Sequence, residues 1–372
     1  MKVALIHDHL AQDGGAEKVL KVFADMFPEA PIYTLLYDKK NVEKHFSNKK
    51  IETSVIQKLP GGVRHYQWYL PFMPMAVEFF DLRHYDLVIS DTSSFAKGVI
   101  TSPDTLHICY CHTPTRYLWS DTHQYINELK YNKWFKKIIA ATLNRLRIWD
   151  FCASQRVDYY IANSKTIQKR IKKYYRRDSD LIYPPVETNK FHISDKKPEK
   201  RYFLAGCRLA PYKRVDILVE AFKKLGSEYN LKIFGDGVDM KRLKKIADSA
   251  SNIEFLGRVS EEEKVDLFAN CEAFLNPQEE DFGITVVEAM ASGRPVIAYR
   301  KGGATETVKE GETGLFFEKQ DSYSVKEAVL KYSSYNFNSQ KIRAWAENFS
   351  INKFSEKINN LIADKKSDFN KL

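Results

Sequence analysis

The stretch EEDFGITVVEAMASGRPV, residues 279–296, sets two glutamates, Glu280 and Glu288, eight positions apart with a Phe-Gly break between them. Glu280 lies on a loop that leaves an apolar run, EAFLNP (272–277), which reads as a strand. Glu288 lies inside a helical pattern through Val286, Val287, Ala289 and Met290. A loop carboxylate and a helix carboxylate so placed can point into one cleft at a strand's carboxyl end, where open α/β sheets bind their ligands. Two groups that only accept hydrogen bonds suit several hydroxyls at once, as on a sugar and a ribose. An exposed loop acid followed by an unrelated helix-surface acid has the same spelling, so the surrounding chain must decide.

Outward from this stretch, short apolar runs alternate with helical patterns. RYFLAGCRL (201–209), YNLKIFGDG (229–237), NIEFLGRV (252–259) and RPVIAYR (294–300) read as strands, with helices such as VDILVEAFKKL (215–225) between them. An earlier alternation runs through VALIHDH (3–9), GGAEKVLKVFADMF (14–27), PIYTLLY (31–37), YDLVISDT (85–92), LHICYCH (106–112) and RVDYYIANS (156–164). Such alternation predicts parallel sheets covered by helices, so the fold class is α/β with two Rossmann-like, doubly wound domains facing a cleft. The expected boundaries are 1–185 for the first domain, 186–200 for a charged linker, 201–345 for the second domain, and 346–372 for helices returning toward the first. Pairs of this kind close over a ligand by hinge motion.

The totals agree with two domains: 372 residues exceed what one core usually holds. The chain is 44% hydrophobic and 28% charged, ordinary for a folded globular protein. No apolar run reaches eighteen residues, so no transmembrane helix is implied, and MKVALIHDHL reads as a first buried strand, not a signal peptide. The five cysteines (Cys109, Cys111, Cys152, Cys207, Cys271) are odd in number and lie mostly in apolar segments, which suits a reducing, cytoplasmic setting. The net charge of +10 is local: residues 125–178 carry fourteen basic and four acidic side chains. Such a patch attracts polyanions, whether phospholipid head groups, nucleic acid or anionic glycans.

Arg208 and Lys213, in CRLAPYKRVD, fall between the first strand of the second domain and a helix. Two cations beside a helix's positive end make a diphosphate site, with Arg as a fork and Lys as a point charge. A solvated basic loop is the plainer alternative. Glycines stand at three strand ends, Gly14 and Gly15, Gly235 and Gly237, and Gly302 and Gly303, where close backbone approach is useful but tight turns are needed in any case.

The ordered set GG (14–15), HTP (112–114), GxRxxxxK (206–213), FGDG (234–237), FLGRV (255–259), EDFGIxxxEAMA (280–291) and GRPV (293–296) resembles family-four retaining glycosyltransferases of the GT-B fold. Through HDHL, GGAEKVL and YCHTPTRYLW it is most similar to bacterial mannosyltransferases of polysaccharide and O-antigen assembly. The resemblance implies that Arg208 and Lys213 bind and stabilise the donor diphosphate, that Glu280 holds sugar hydroxyls, and that Glu288 binds the ribose. It places Arg258 and Val259 at the base edge, the Phe282–Gly283–Ile284 backbone and Gly235 and Gly237 around the donor, Gly15 near the diphosphate, and His112 near the reacting sugar. One departure stands out: Asp281 replaces the glycine usual after the first glutamate.

The implied co-substrate is a nucleotide sugar, GDP-mannose before a UDP-sugar, passed to a glycan or polyprenyl-linked acceptor, with no cofactor and no metal. Cys109, Cys111 and His112 lack the second cluster of a zinc site. In His7–Asp8–His9 the two histidines would share a strand face with Asp8 opposite. Asp178–Ser179–Asp180 spells a metal-binding D-x-D but follows a helix end. No carboxylate is poised as a glycosidase-type nucleophile, so front-side transfer is expected, the leaving diphosphate helping to deprotonate the acceptor.

The segment 131–151 puts Tyr131, Trp134, Phe135, Ile138, Ile139, Leu143, Leu146 and Trp149 at helical spacing, with Lys130, Lys133, Lys137 and Arg147 largely off that stripe. It could lie on an anionic membrane surface, at the inner face of the plasma membrane, or turn its stripe to the core. A nucleic-acid-binding protein is the reading from another class, but no RNA-binding signature accompanies the basic residues.

Overall fold

The structure, a computed structural model, describes residues 1–11, 14–129, 131–194 and 199–371. Lys130 of the basic segment and positions 195–198 of the expected linker lie outside the described residues. The chain divides into two compact units, Met1–Tyr183 with Ser355–Leu372, and Pro184–Phe354.

Among the described residues of the first unit, β1 (Val3–His7), β2 (Ile32–Thr34), β3 (Ile51–Thr53), β4 (Leu87–Thr92), β5 (Leu106–Cys111), β6 (Tyr159–Ala162) and β7 (Asp180–Leu181) form one parallel sheet in the order β3-β2-β1-β4-β5-β6-β7. Strands β1, β4 and β5 are buried along their whole length, the mark of strands covered on both faces. Register sets the site chemistry here, because β1 pairs β4 with His7 opposite Asp91. The helix Gly15–Met26 follows β1 and buries Val19, Leu20, Val22 and Phe23.

The second unit repeats the plan. Strands β8 (Tyr202–Gly206), β9 (Asn230–Phe234), β10 (Ile253–Gly257), β11 (Phe274–Asn276), β12 (Val296–Tyr299) and β13 (Gly314–Phe317) run parallel in the order β10-β9-β8-β11-β12-β13. Helix Val215–Leu225 presses Leu218, Val219, Ala221 and Phe222 into a core shared with Leu231, Ile233, Leu275 and Ile297. Each fully buried aliphatic or Phe side chain contributes about 1.5–3 kcal/mol. In both sheets the strand order reverses beside the first strand, so loops at the carboxyl ends open a crevice there.

Two expectations change. Residues 186–194, read as linker, pack within the second unit: Val186 N–H donates to Phe349 O at 2.9 Å, Thr188 Oγ1 donates to Glu347 Oε2 at 2.8 Å, and Phe191 is buried against Phe268. The stripe of 131–151 also divides. In helix Lys133–Gln155, Leu143 and Leu146 are buried, with Ile139 and Trp149 packed against the same core, whereas Tyr131, Trp134, Phe135 and Ile138 are exposed. The stripe has a core to lie on only from Ile139 onward.

Candidate active site

In the second unit the loops after β8, β9, β10, β11 and β12 are stitched to one another. Leu209 N–H donates to Asp236 O at 2.9 Å, Gly235 N–H to Gly257 O at 2.7 Å, and Gly303 N–H to Glu280 O at 2.7 Å. Glycines make this possible. A Cβ on Gly235 (φ +110°) would stand 1.9 Å from Cys207 O, and one on Gly237 would stand 2.1 Å from Leu209 O, so the FGDG turn lies against the segment that carries Arg208. A Cβ on Gly302 (φ +65°) would stand 2.2 Å from Glu280 O, so the GG turn after β12 is the floor under the EDFG loop.

On this platform Lys213 Nζ donates to Glu280 Oε1 in an ion pair, and both side chains are partly exposed. Arg208 is exposed, with Nη2 donating to Tyr212 Oη at 2.7 Å. Burial pushes the Cys207 thiol up to about 12, so the sulfur beside Arg208 stays neutral and is no nucleophile. Gly283 caps helix Ile284–Ala291, while the Phe282 ring turns into the core against Phe349, 5.7 Å between centroids. Phe282 therefore anchors the loop, and its backbone is what remains to meet a ligand. Glu288 is buried on that helix, with Lys264 Nζ 3.3 Å from Oε1. The two glutamates thus answer to different cations, Glu280 to Lys213 and Glu288 to Lys264. Lys264 escaped the sequence reading because SEEEKVDLF looks like any charged helix start. Arg258 and half-buried Val259 follow β10; Arg258 is exposed, its Nε 3.5 Å from Asp236 Oδ2.

The first unit holds His112 just past β5, mostly buried, with Nε2 2.7 Å from Asp91 Oδ1. Gly15 opens the helix after β1, and Gly14 N–H donates to Glu17 Oε2 at 3.0 Å. A cavity of about 360 Å³ lies at the carboxyl ends of β1, β2, β4 and β5, lined among others by His9, Tyr66, Arg116, Tyr117 and Tyr125. Its size suits a small ligand.

The strand alternation expected for His7–Asp8–His9 does not extend that far, because β1 ends at His7. His7 is buried against Asp91, while Asp8 and His9 both line the cavity. Asp8 accepts from Thr92 Oγ1 at 2.9 Å, Ala96 N–H at 2.8 Å and Ser93 N–H at 2.7 Å, so it is a fastener for the loop after β4. Asp178 and Asp180 are held by Lys172 at 2.6 Å and Lys365 at 3.7 Å. Among the described residues, no group of three or more His, Cys, Asp or Glu side chains is arranged to hold a metal ion. Nor is any helix among them long and apolar enough to cross a membrane.

Residues 13–190 match the family model for glycosyltransferase family 4, and residues 186–349 match that for glycosyl transferases group 1. Together these take in most of the chain, which belongs to these glycosyltransferases. The Anabaena protein HepE, solved in complex with UDP, superposes over 98% of this chain and 100% of its own with a TM-score of 0.73 at 18% identity, so the fold is GT-B. Alpha-1,3/1,6-mannosyltransferase ALG2 of Dictyostelium discoideum is 23% identical across 97% of this chain and 98% of its own. A GDP-mannose-dependent alpha-(1-6)-phosphatidylinositol monomannoside mannosyltransferase of Mycobacterium tuberculosis is 32% identical over 41% of this chain and 46% of its own. An uncharacterized glycosyltransferase of Methanocaldococcus jannaschii is 32% identical over 48% of this chain, which is about half its length (50%).

Proposed function

We propose that this glycosyltransferase moves mannose from GDP-mannose to a glycan or polyprenyl-linked acceptor, with retention of anomeric configuration and without a metal ion, in cell-surface polysaccharide assembly. The observation that carries the reading is the Lys213–Glu280 pair on the stitched loops, with Arg208 on the same loop as Lys213. An ammonium and a guanidinium at a strand-to-helix turn neutralise a departing diphosphate. When the donor enters, Lys213 exchanges Glu280 for phosphate oxygens, and the carboxylate so released takes sugar hydroxyls. Glu288, held by Lys264, takes the ribose, and the leaving diphosphate receives the acceptor proton on the front face. The choice of mannose is supported by the similarity to mannosyltransferases, one of which extends along nearly the whole chain.

The acceptor site is assigned to the first-unit cavity, where Tyr66, Tyr117 and Tyr125 offer ring faces and Arg116 a charged donor. A lipid-linked acceptor fits the exposed apolar residues of that unit: Trp68, Phe72 and Phe79 on one segment, and Trp134 and Ile138 beside Lys133 and Lys137 on another. Basic residues interleaved with exposed tryptophan favour an anionic bilayer. Sedimentation with anionic vesicles at low salt checks this point, and protein that stays in the supernatant counts against it.

The direct test is thermal stabilisation by GDP, UDP, GDP-mannose and UDP-N-acetylglucosamine, with and without magnesium, since a ligand that binds only the native state raises its apparent stability. A shift selective for GDP compounds, independent of magnesium and lost in Glu288→Ala, supports the proposal. A UDP-selective shift replaces the donor, and product with inverted configuration overturns the mechanism.

A further inference from the structure

His112 does not stand alone. Asp91, 1% exposed at the end of β4, takes His112 Nε2 on Oδ1 at 2.7 Å and His7 Nδ1 on Oδ2 at 2.9 Å. Behind it, His7 Nε2 lies 3.9 Å from Glu17 Oε1, and Glu17 Oε2 accepts the Gly14 backbone N–H at 3.0 Å. One buried polar chain therefore runs from the glycine turn after β1, through Glu17, His7 and Asp91, to His112. Its three inner members are nearly inaccessible, whereas His112 is 13% exposed, so the chain opens at that imidazole.

A carboxylate only accepts hydrogen bonds, so a ring nitrogen that meets it carries the proton. Burial works against ionising Asp91, but the hydrogen bonds it accepts from His112 and His7, with the charge of His7, outweigh it and hold its carboxyl below the usual carboxylate range. A buried carboxylate fastening β1 to β4 would need His7 alone. The second imidazole, at the open end, has no part in that fastening.

We propose that Asp91 is a positioning residue for His112: it fixes the imidazole with its proton on Nε2, leaving Nδ1 as the nitrogen that receives a hydroxyl of the transferring sugar, while His7 and Glu17 hold Asp91 in place. This rests on the glycosyl-transfer reading given under Proposed function and on the place near the reacting sugar that the family resemblance implies for His112. It adds what the family resemblance does not supply, namely which ring nitrogen faces the ligand and which residues set it. The groups facing His7 and Asp91 from neighbouring elements are Glu17, Asp8, His9, His112 and Tyr110, and all five enter any pH profile.

Two measurements test it. In nitrogen-15-labelled protein without ligand, ring-nitrogen correlations at neutral pH, assigned by the signal lost in His112→Ala, should place the His112 proton on Nε2. In Asp91→Asn, whose amide donates where the carboxylate accepted, the proton should move to Nδ1. With GDP-mannose, the kcat for GDP release should fall by about 100-fold in Asp91→Asn with KM little changed, as for a group held askew. It should fall no further when Asp91→Asn is added to His112→Ala. A wild-type proton on Nδ1 overturns the proposal even if Asp91→Asn does not fold. Loss in His112→Ala without loss in Asp91→Asn overturns it while leaving the site reading intact. Full activity in His112→Ala sinks both.

Discussion

Lys213 and Glu280 stand 67 residues apart in the chain, on the loops after β8 and β11, and close into an ion pair. Strands β8 and β11 are neighbours in the sheet, Leu204 opposite Phe274, so the two loops leave the same edge of the crevice. The pair is preassembled from the two side chains that a sugar diphosphate would have to part.

Removing either partner should therefore affect turnover far more than folding. Lys213→Ala is expected to lower kcat for GDP-mannose by roughly 100- to 1000-fold, the usual effect of losing one charge-stabilising donor. Thermal unfolding should change little, because the pair is partly solvated. Steady-state kinetics beside a melting curve separates the two. A large drop in melting temperature with turnover retained would assign the pair to structure.

Gly302→Ala tests the floor beneath Glu280. The new methyl meets Glu280 O at a φ of +65°, so backbone must move. A residue forced into that conformation costs about 1–3 kcal/mol. Urea unfolding should show that loss, and nucleotide affinity should fall with it because the displaced atoms belong to the 280–282 loop.

The His7 imidazole predicts a pH dependence. Burial pushes its pKa down, but hydrogen bonds and charges of Asp91 and Glu17 prevail, and it stands at about 10 against an ordinary 6.5. The folded protein thus binds this proton more tightly than the unfolded chain. Its contribution is complete below about pH 6.5 and is lost as pH rises toward about 10. The stability gap between wild type and His7→Gln should be widest near pH 6 and should narrow steadily up to that value. A gap independent of pH would mean that His7 is neutral in the fold.

Lys97 and Asp150 form a buried pair at 2.6 Å, each 1% exposed, and Asp150 also accepts from Thr115 Oγ1, Trp119 Nε1 and Tyr175 Oη. This carboxylate fastens the CHTPTRYLW segment to helix Lys133–Gln155. Lys97→Met leaves it charged and short of a cation, at a cost of about 3–5 kcal/mol. Adding Asp150→Leu should recover part of that cost in denaturant titrations, although the three other donors then lack an acceptor.

The glycine pairs and the loop placement of Lys213 and Glu280 were legible in the sequence, because turn residues and motif spacing are local properties. The cation that holds Glu288 was not: Lys264 comes from another helix, and nothing near Glu288 announces it. The stripe of 131–151 left two readings open for a related reason. Helical spacing says which residues share a face, not what lies opposite, and only from Ile139 onward does that face meet a core.

From local pattern alone, the alternation of apolar runs with amphipathic helices determined an α/β chain of parallel sheets. Hydrophobic periodicity is dictated by the strand and helix repeats themselves, so no tertiary contact is needed to read it. Tertiary structure alone decided the chain Gly14–Glu17–His7–Asp91–His112. His7 and Asp91 are 84 residues apart, and they meet because β1 and β4 pair in one particular register. Shifting that register by one residue would turn Asp91 to the other face of the sheet, and only the packing of both faces forbids the shift.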